Sequence, residues 1–198
     1  MHALVWSDYI CPWAYLGRDR TELLRSLGVT VTSMPYELHP EIPPDGRTVR
    51  PDGRLSRVYA DIARQCADVE LPFRPPQHVP NSRRALSTAA VVRAHEPSCF
   101  DALDDALFAA HFVGALDIGD RDVINQLVAD AGASAEDVGA LVDQGEGAEI
   151  VATSMRTAHD HGVAATPSWL FGDELVIPGA QPRELFERIV ARLRARTG

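Results

Sequence analysis

The residue best placed to do chemistry is Cys11, within Asp8-Tyr9-Ile10-Cys11-Pro12-Trp13-Ala14. Pro12 suits the first position of a helix, where its missing N–H costs nothing. A thiol just before that position faces the unpaired N–H groups and the positive end of the helix dipole. Such a setting favours the thiolate, lowers the thiol pKa and turns an inert cysteine into a nucleophile. The plain alternative is a small hydrophobe packed at a turn. A second feature is Ala165-Thr166-Pro167-Ser168. Proline ahead of a buried strand removes a ladder donor and demands special backbone geometry. A cis Thr166–Pro167 bond would supply it; a trans proline at a strand start is the alternative.

The elements that must position these residues can be read from periodicity. Residues 3–7 form a short buried strand. A helix from Pro12 carries Leu16, Leu23, Leu24 and Leu27 and stops at Gly28, a natural C-cap. Residues 29–38 begin as a strand, so the chain opens strand–helix–strand, as a parallel pair requires. Residues 40–54, rich in Pro, Gly, Asp and Arg, predict an irregular connection. Helices follow at 55–67, from Ser82 to His95, Ser98 to Val113 and Asp120 to Ala131, from Ser134, and over 147–161. Ser168-Trp169-Leu170-Phe171 is a strand, Gly172-Asp173 a two-residue hairpin signal, and Glu174 to Ile177 the return strand. Gln181-Pro182 opens a last helix. The order predicts an α/β chain in which four short strands share one sheet, interrupted by a helical insertion of roughly a hundred residues.

Composition sets limits. The net charge of −9 disfavours nucleic acid and anionic membrane surfaces. The short Arg83-Arg84 pair and the Arg192, Arg194, Arg196 group, read as a solvated helix face, do not alter this. The start, with an acid at Asp8 and no positive leader, predicts no signal peptide. No apolar run is long enough to span a membrane. Three cysteines, Cys11, Cys66 and Cys99, cannot all pair within the chain, which predicts a reduced, cytoplasmic protein. His159 and His161 are two apart, on different helix faces, and no Cys or His cluster has zinc spacing, so no metal is expected.

The segment Ser7 to Gly17, containing Cys11-Pro12-Trp13-Ala14, resembles the active-site start of FrnE-type proteins of the DsbA superfamily. Four further segments resemble that family in order: Phe73-Arg74 with Pro80 to Ala85, Asp117 to Asp120 with Val123, Gly162 to Trp169, and Gly179 to Pro182. The resemblance implies a thioredoxin fold with a large all-helical insertion. The thioredoxin-like part would comprise 1–40 and 160–198, and the insertion 41–159. It implies thiol–disulfide oxidoreductase chemistry at Cys11, with Pro12, Trp13 and Ala14 shaping the site. Thr166 and a cis-Pro167 would dock an extended substrate. Asn81, at the entry to the helical insert, could donate a hydrogen bond to a bound thiol ligand or simply cap a helix or turn. No cofactor is implied beyond a small thiol such as glutathione or mycothiol. The partner would be a disulfide-bearing protein or that small thiol, and the resemblance leaves a homodimer open.

One departure limits these implications. The family usually carries a second cysteine where this chain has Ala14, and that thiol normally resolves the mixed disulfide. Three explanations follow: a monothiol mechanism resolved by a small thiol, resolution by Cys66 or Cys99, or an engineered alanine. Two other functions compete. Glutathione-dependent isomerases of hydroxychromene carboxylates and kappa-class transferases share the layout but usually have serine at position 11. A non-catalytic binding protein would also be content with Ala14.

Overall fold

The computed structural model describes residues 1–172 and 175–197, and the side chains up to position 195 apart from 173 and 174. Asp173 and Glu174, expected in the hairpin and return strand, and the Arg196 side chain lie outside the described residues.

The chain opens with strand β1 (His2–Ser7), helix α1 (Pro12–Ser26) and strand β2 (Thr30–Pro35). β1 and β2 pair in parallel, with Val5 beside Ser33 and Ser7 beside Pro35. The chain turns between them at Gly28, whose φ of +73° places it in the left-handed region that suits glycine. Strands β5 (Ser168–Phe171) and β6 (Leu175–Pro178) complete the sheet in the order β2-β1-β5-β6. β5 runs antiparallel to both neighbours. The last helix, α8 (Arg183–Thr197), joins α1 on one sheet face.

Between β2 and β5 lies the helical insertion: α2 (Arg54–Asp68), α3 (Arg83–His95), α4 (Pro97–Phe112), α5 (Arg121–Asp130), α6 (Ala135–Asp143) and α7 (Glu146–Asp160). Its helix starts obey local capping chemistry. The Asp120 carboxylate accepts from the N–H groups of Asp122 and Val123 at 2.8 and 3.0 Å, and Ser134 Oγ accepts from Asp137 N at 3.3 Å. The connection over 40–54 is irregular, as expected, apart from one two-residue strand that pairs with a segment further along the chain. Strand β3 (Arg47–Thr48) pairs antiparallel with β4 (His78–Val79), two segments too short and too far apart for periodicity to reveal.

Alternation along the strands sorts the core. Ala3, Val5, Trp169 and Phe171 face α1 and α8, where they meet Leu24 and Phe186. Trp6 and Leu170 face the opposite way, and Trp6 Nε1 donates to Ser154 O of α7 at 3.3 Å. A larger cluster joins the first turns of α1 to the insertion through Tyr15, Tyr59, Phe108 and Phe112. This cluster, not the sheet, encloses the end of β1 where Cys11 lies.

Candidate active site

Cys11 occupies the N-cap of α1, with extended backbone at φ −84° and ψ 114° and Pro12 as the first helical residue. Its own N–H donates to Asp8 O at 3.0 Å, closing the turn out of β1, and its carbonyl accepts from Tyr15 N at 3.0 Å. The thiol donates to the Thr166 carbonyl oxygen at 3.2 Å, across 155 residues of chain. The Thr166–Pro167 peptide bond is cis. Behind it, Gly17 lets α1 close onto this segment: a Cβ there would stand 3.1 Å from both Pro167 Cγ and Trp169 Cη2.

The electrostatics differ from the expected activated thiolate. Cys11 is 3% exposed, and burial pushes its thiol up to about 11. The Thr166 hydroxyl and the N–H groups of Ala14 and Trp13 oppose that rise, as a helix N-terminus should, but they do not overcome it. The carboxyl of Asp8 raises the value further. The reason is enclosure: taking a thiolate out of water outweighs two or three partial charges.

Asp8, whose charge acts on Cys11, is fully buried. Its carboxyl accepts from Leu38 N at 2.8 Å and from Ile10 N at 3.3 Å, yet burial still lifts its pKa to about 6. A raised carboxyl pKa means the folded state favours the protonated form. Its stabilising contribution is therefore complete below its ordinary value of 3.8 and is lost as pH rises through about 6. Above that, the ionised carboxylate works against a Cys11 thiolate. Asp8→Asn should therefore lower the Cys11 pKa and speed its alkylation by iodoacetamide at pH 8 by roughly three- to tenfold. An unchanged alkylation-against-pH profile would show that the carboxyl charge does not reach the sulfur.

A second carboxyl, half-buried, supports the same loop. Tyr9 Oη donates to Asp104 Oδ1 of α4 at 2.7 Å, and the Tyr9 ring meets Phe108 edge-on at 4.8 Å. Burial lifts Asp104 to about 6 as well.

The remaining expected residues divide. Pro12 and Ala14 are buried and Trp13 is half-buried beside Cys11 in the first turn of α1. Ala14 lines a cavity of about 110 Å³ together with Ser7, Gly17, Phe108 and Pro167. Asn81 is used within the insertion. Its Nδ2 donates to Ile42 O at 2.6 Å and its Oδ1 accepts from Arg83 N at 3.0 Å. Those bonds make it a turn staple in this structure. All three cysteines are free; Cys66 is fully buried in α2, where burial pushes its thiol up to about 11, and Cys99 is partly exposed. Periodicity gave no sign of Tyr59, whose hydroxyl is buried in the Cys11 cluster without a hydrogen-bond partner. Nor did it point to the Thr166 hydroxyl, which is buried close to the Cys11 sulfur. Among the described residues, no group of three or more His, Cys, Asp or Glu is arranged to hold a metal, and no helix is long and apolar enough to cross a membrane.

The family model of the DSBA-like thioredoxin domain matches residues 4–191. The chain belongs to this family. Its sheet and helical insertion are the thioredoxin-like DsbA fold, and members do not generally use cofactors. The fold is shared with a probable DsbA oxidoreductase, SCO1869 from Streptomyces coelicolor, at a TM-score of 0.84 and 23% identity, covering 97% of this chain and 89% of that one. A 2-hydroxychromene-2-carboxylate isomerase superposes at 0.81 with 18% identity, covering 100% and 98%. The cytosolic disulfide reductase DsbM from Pseudomonas aeruginosa, also solved with GSH, superposes at 0.67 with 20% identity, covering 98% and 100%. Enzymes of this family are typically oxidoreductases or isomerases.

Proposed function

We propose that the protein is a single-cysteine thiol–disulfide oxidoreductase in which Cys11 forms a mixed disulfide with a protein or small-thiol substrate. The observation that carries this reading is the placement of the Cys11 thiol. It sits at the N-terminus of α1, bonded to the carbonyl of the residue before Pro167, with Ala14 in place of a resolving thiol. In the first step Cys11 gives its proton to water and its sulfur attacks a disulfide, RS–SR′. The Cys11–SR bond forms, the RS–SR′ bond breaks, and R′S⁻ leaves with the electron pair. A second small thiolate then attacks the R sulfur, releasing the Cys11 thiolate and a new disulfide. Glutathione or mycothiol suits that second role, and the GSH-bound relative supports it.

The local geometry helps the first adduct. Once Cys11 is in a disulfide it has no S–H to donate, so the Thr166 carbonyl becomes free to accept a substrate N–H. Pro167 has no N–H of its own, and the Thr166 edge can dock an extended segment by strand addition. Pro12 and Trp13 form the rim of this surface. Asn81 acts indirectly, by holding the loop at Ile42. Because Cys11 is 3% exposed, exchange proceeds from locally opened states, which slows it relative to an exposed thiol. The reading places the protein in the cytoplasm, where free thiols persist.

A second reading draws on the raised thiol pKa: Cys11 stays protonated and holds a small thiol's sulfur by hydrogen bonding, as an isomerase of this fold would require. Mass spectrometry separates the two. The reduced protein, incubated with oxidised glutathione at pH 8, should gain one glutathionyl group on the Cys11 peptide and none on the Cys66 peptide. Failure to form that adduct, with a solvent-reactive Cys11, would favour the second reading.

A further inference from the structure

We propose that Tyr59 is a catalytic residue whose hydroxyl donates a hydrogen bond to the thiolate sulfur that leaves when Cys11 attacks a disulfide. This role rests on the thiol–disulfide reading above and adds a participant outside the family's active-site segment.

Tyr59 lies in α2, which packs against α1, and it belongs to the same buried cluster as Cys11. It is 2% exposed, and its ring meets Phe73 edge-on at 6.1 Å. Its hydroxyl is shut away from solvent with no hydrogen-bond partner. Buried hydroxyls nearly always have partners, because leaving one unpaired forfeits its hydration without return. A chain that only needed the ring could have used phenylalanine. The orphan O–H is therefore a donor held for something that enters.

What enters is defined by the surroundings. Burial raises the Tyr59 pKa, Arg47 opposes that rise, and a Cys11 thiolate is near enough to raise it further. The hydroxyl thus keeps its proton throughout and acts as a hydrogen-bond donor. No hydrogen bond joins it to the Cys11 sulfur, whose own bond goes to Thr166. The packing around these atoms is largely apolar, so a second sulfur carrying negative charge would find few donors there beyond the Thr166 hydroxyl and Arg47. In the exchange step the Cys11–SR bond forms and the electron pair of the RS–SR′ bond passes to R′S⁻. The Tyr59 O–H bond stays intact, and the R′S⁻ proton comes later from water. In two-cysteine relatives the second thiol speeds the later release step. A hydrogen bond to the departing sulfur speeds the earlier one, and this chain, with Ala14, depends on it.

Leaving-group chemistry tests the role. Tyr59→Phe keeps the ring and removes only the donor. Three reagents are compared on Cys11: oxidised glutathione, whose alkyl thiolate leaves poorly; dithiodipyridine, whose leaving group is stable unaided; and iodoacetamide, which releases no thiolate. The variant should react about ten- to a hundredfold more slowly with oxidised glutathione and change less than about twofold with the other two. Its Tm should rise by a few degrees, because an unpaired buried hydroxyl has been removed. Equal slowing with all three reagents, or none with oxidised glutathione, overturns the role. A wild-type Cys11 that alkylates but exchanges with neither disulfide overturns the underlying reading, and the role falls with it.

Discussion

Cys11→Ser should reduce exchange with oxidised glutathione by at least about a thousandfold while leaving the fold intact. The substitution swaps sulfur for oxygen at nearly constant shape. A serine hydroxyl still donates to the Thr166 carbonyl, now held at 3.2 Å by the thiol. The turn closed by the Cys11 N–H to Asp8 O bond uses only backbone atoms and persists. Stability should therefore move by no more than about 1 kcal/mol. What disappears is the polarisable nucleophile: a hydroxyl without an adjacent base does not attack disulfides at neutral pH. Cys66 cannot substitute for it, because its sulfur is fully buried in α2 with its own thiol pushed up to about 11. Stopped-flow rates together with far-ultraviolet circular dichroism would check both halves. Residual exchange above about one hundredth of wild type would place the chemistry on another residue.

The second large effect is a gain. Ala14→Cys should shorten the life of the Cys11 mixed disulfide at least about a hundredfold, because resolution becomes intramolecular. Residues three apart on a helix lie on one face, with Cβ atoms about 5–6 Å apart, close enough for a small local adjustment to allow an S–S bond. The added sulfur has somewhere to go. Ala14 is 3% exposed and borders a cavity of about 110 Å³, so one extra heavy atom needs no displacement of Gly17 or Pro167. After treatment with a disulfide reagent, intact-mass analysis should show the loss of two hydrogens in place of a stable adduct. Insulin reduction with dithiothreitol as electron source should rise in parallel. Persistence of the adduct would mean that the introduced thiol cannot reach the sulfur, and that the first turn of α1 is too tightly held for a two-thiol cycle.

Both variants bear on why one thiol could suffice. The Asp8 carboxyl and the enclosure around Cys11 hold the sulfur protonated, which makes a resting protein that is slow to oxidise. A mixed disulfide carries no charge on Cys11, so that penalty vanishes once the adduct has formed. Burial thus opposes the free thiolate more than the adduct. That asymmetry fits a protein whose product waits for an outside thiol.

Much of this molecule is written locally. The Cys11-Pro12 step specifies a helix start, Gly28 a helix end, and Asp120 and Ser134 two further caps, because backbone preference and capping act within a few residues. The short apolar runs 3–7 and 168–171 were enough to set two buried strands, though not which layer each side chain faces. The order of these elements then determined the sheet and its helical insertion. Other properties depend on chain segments that meet only after folding. The two-residue ladder between Arg47–Thr48 and His78–Val79 has no local signal. Thr166 reaches Cys11 from 155 positions away, and Asn81 spends its amide on Ile42 and Arg83. Most telling is the thiol itself. Its local setting argued for a lowered pKa, and the helix N-terminus does act in that direction. The insertion that closes over it takes the sulfur out of water, and that acts more strongly in the opposite direction. A helix dipole follows from a handful of adjacent residues. The loss of water around a sulfur is the sum of everything that packs against it, and only the tertiary structure decided that sum.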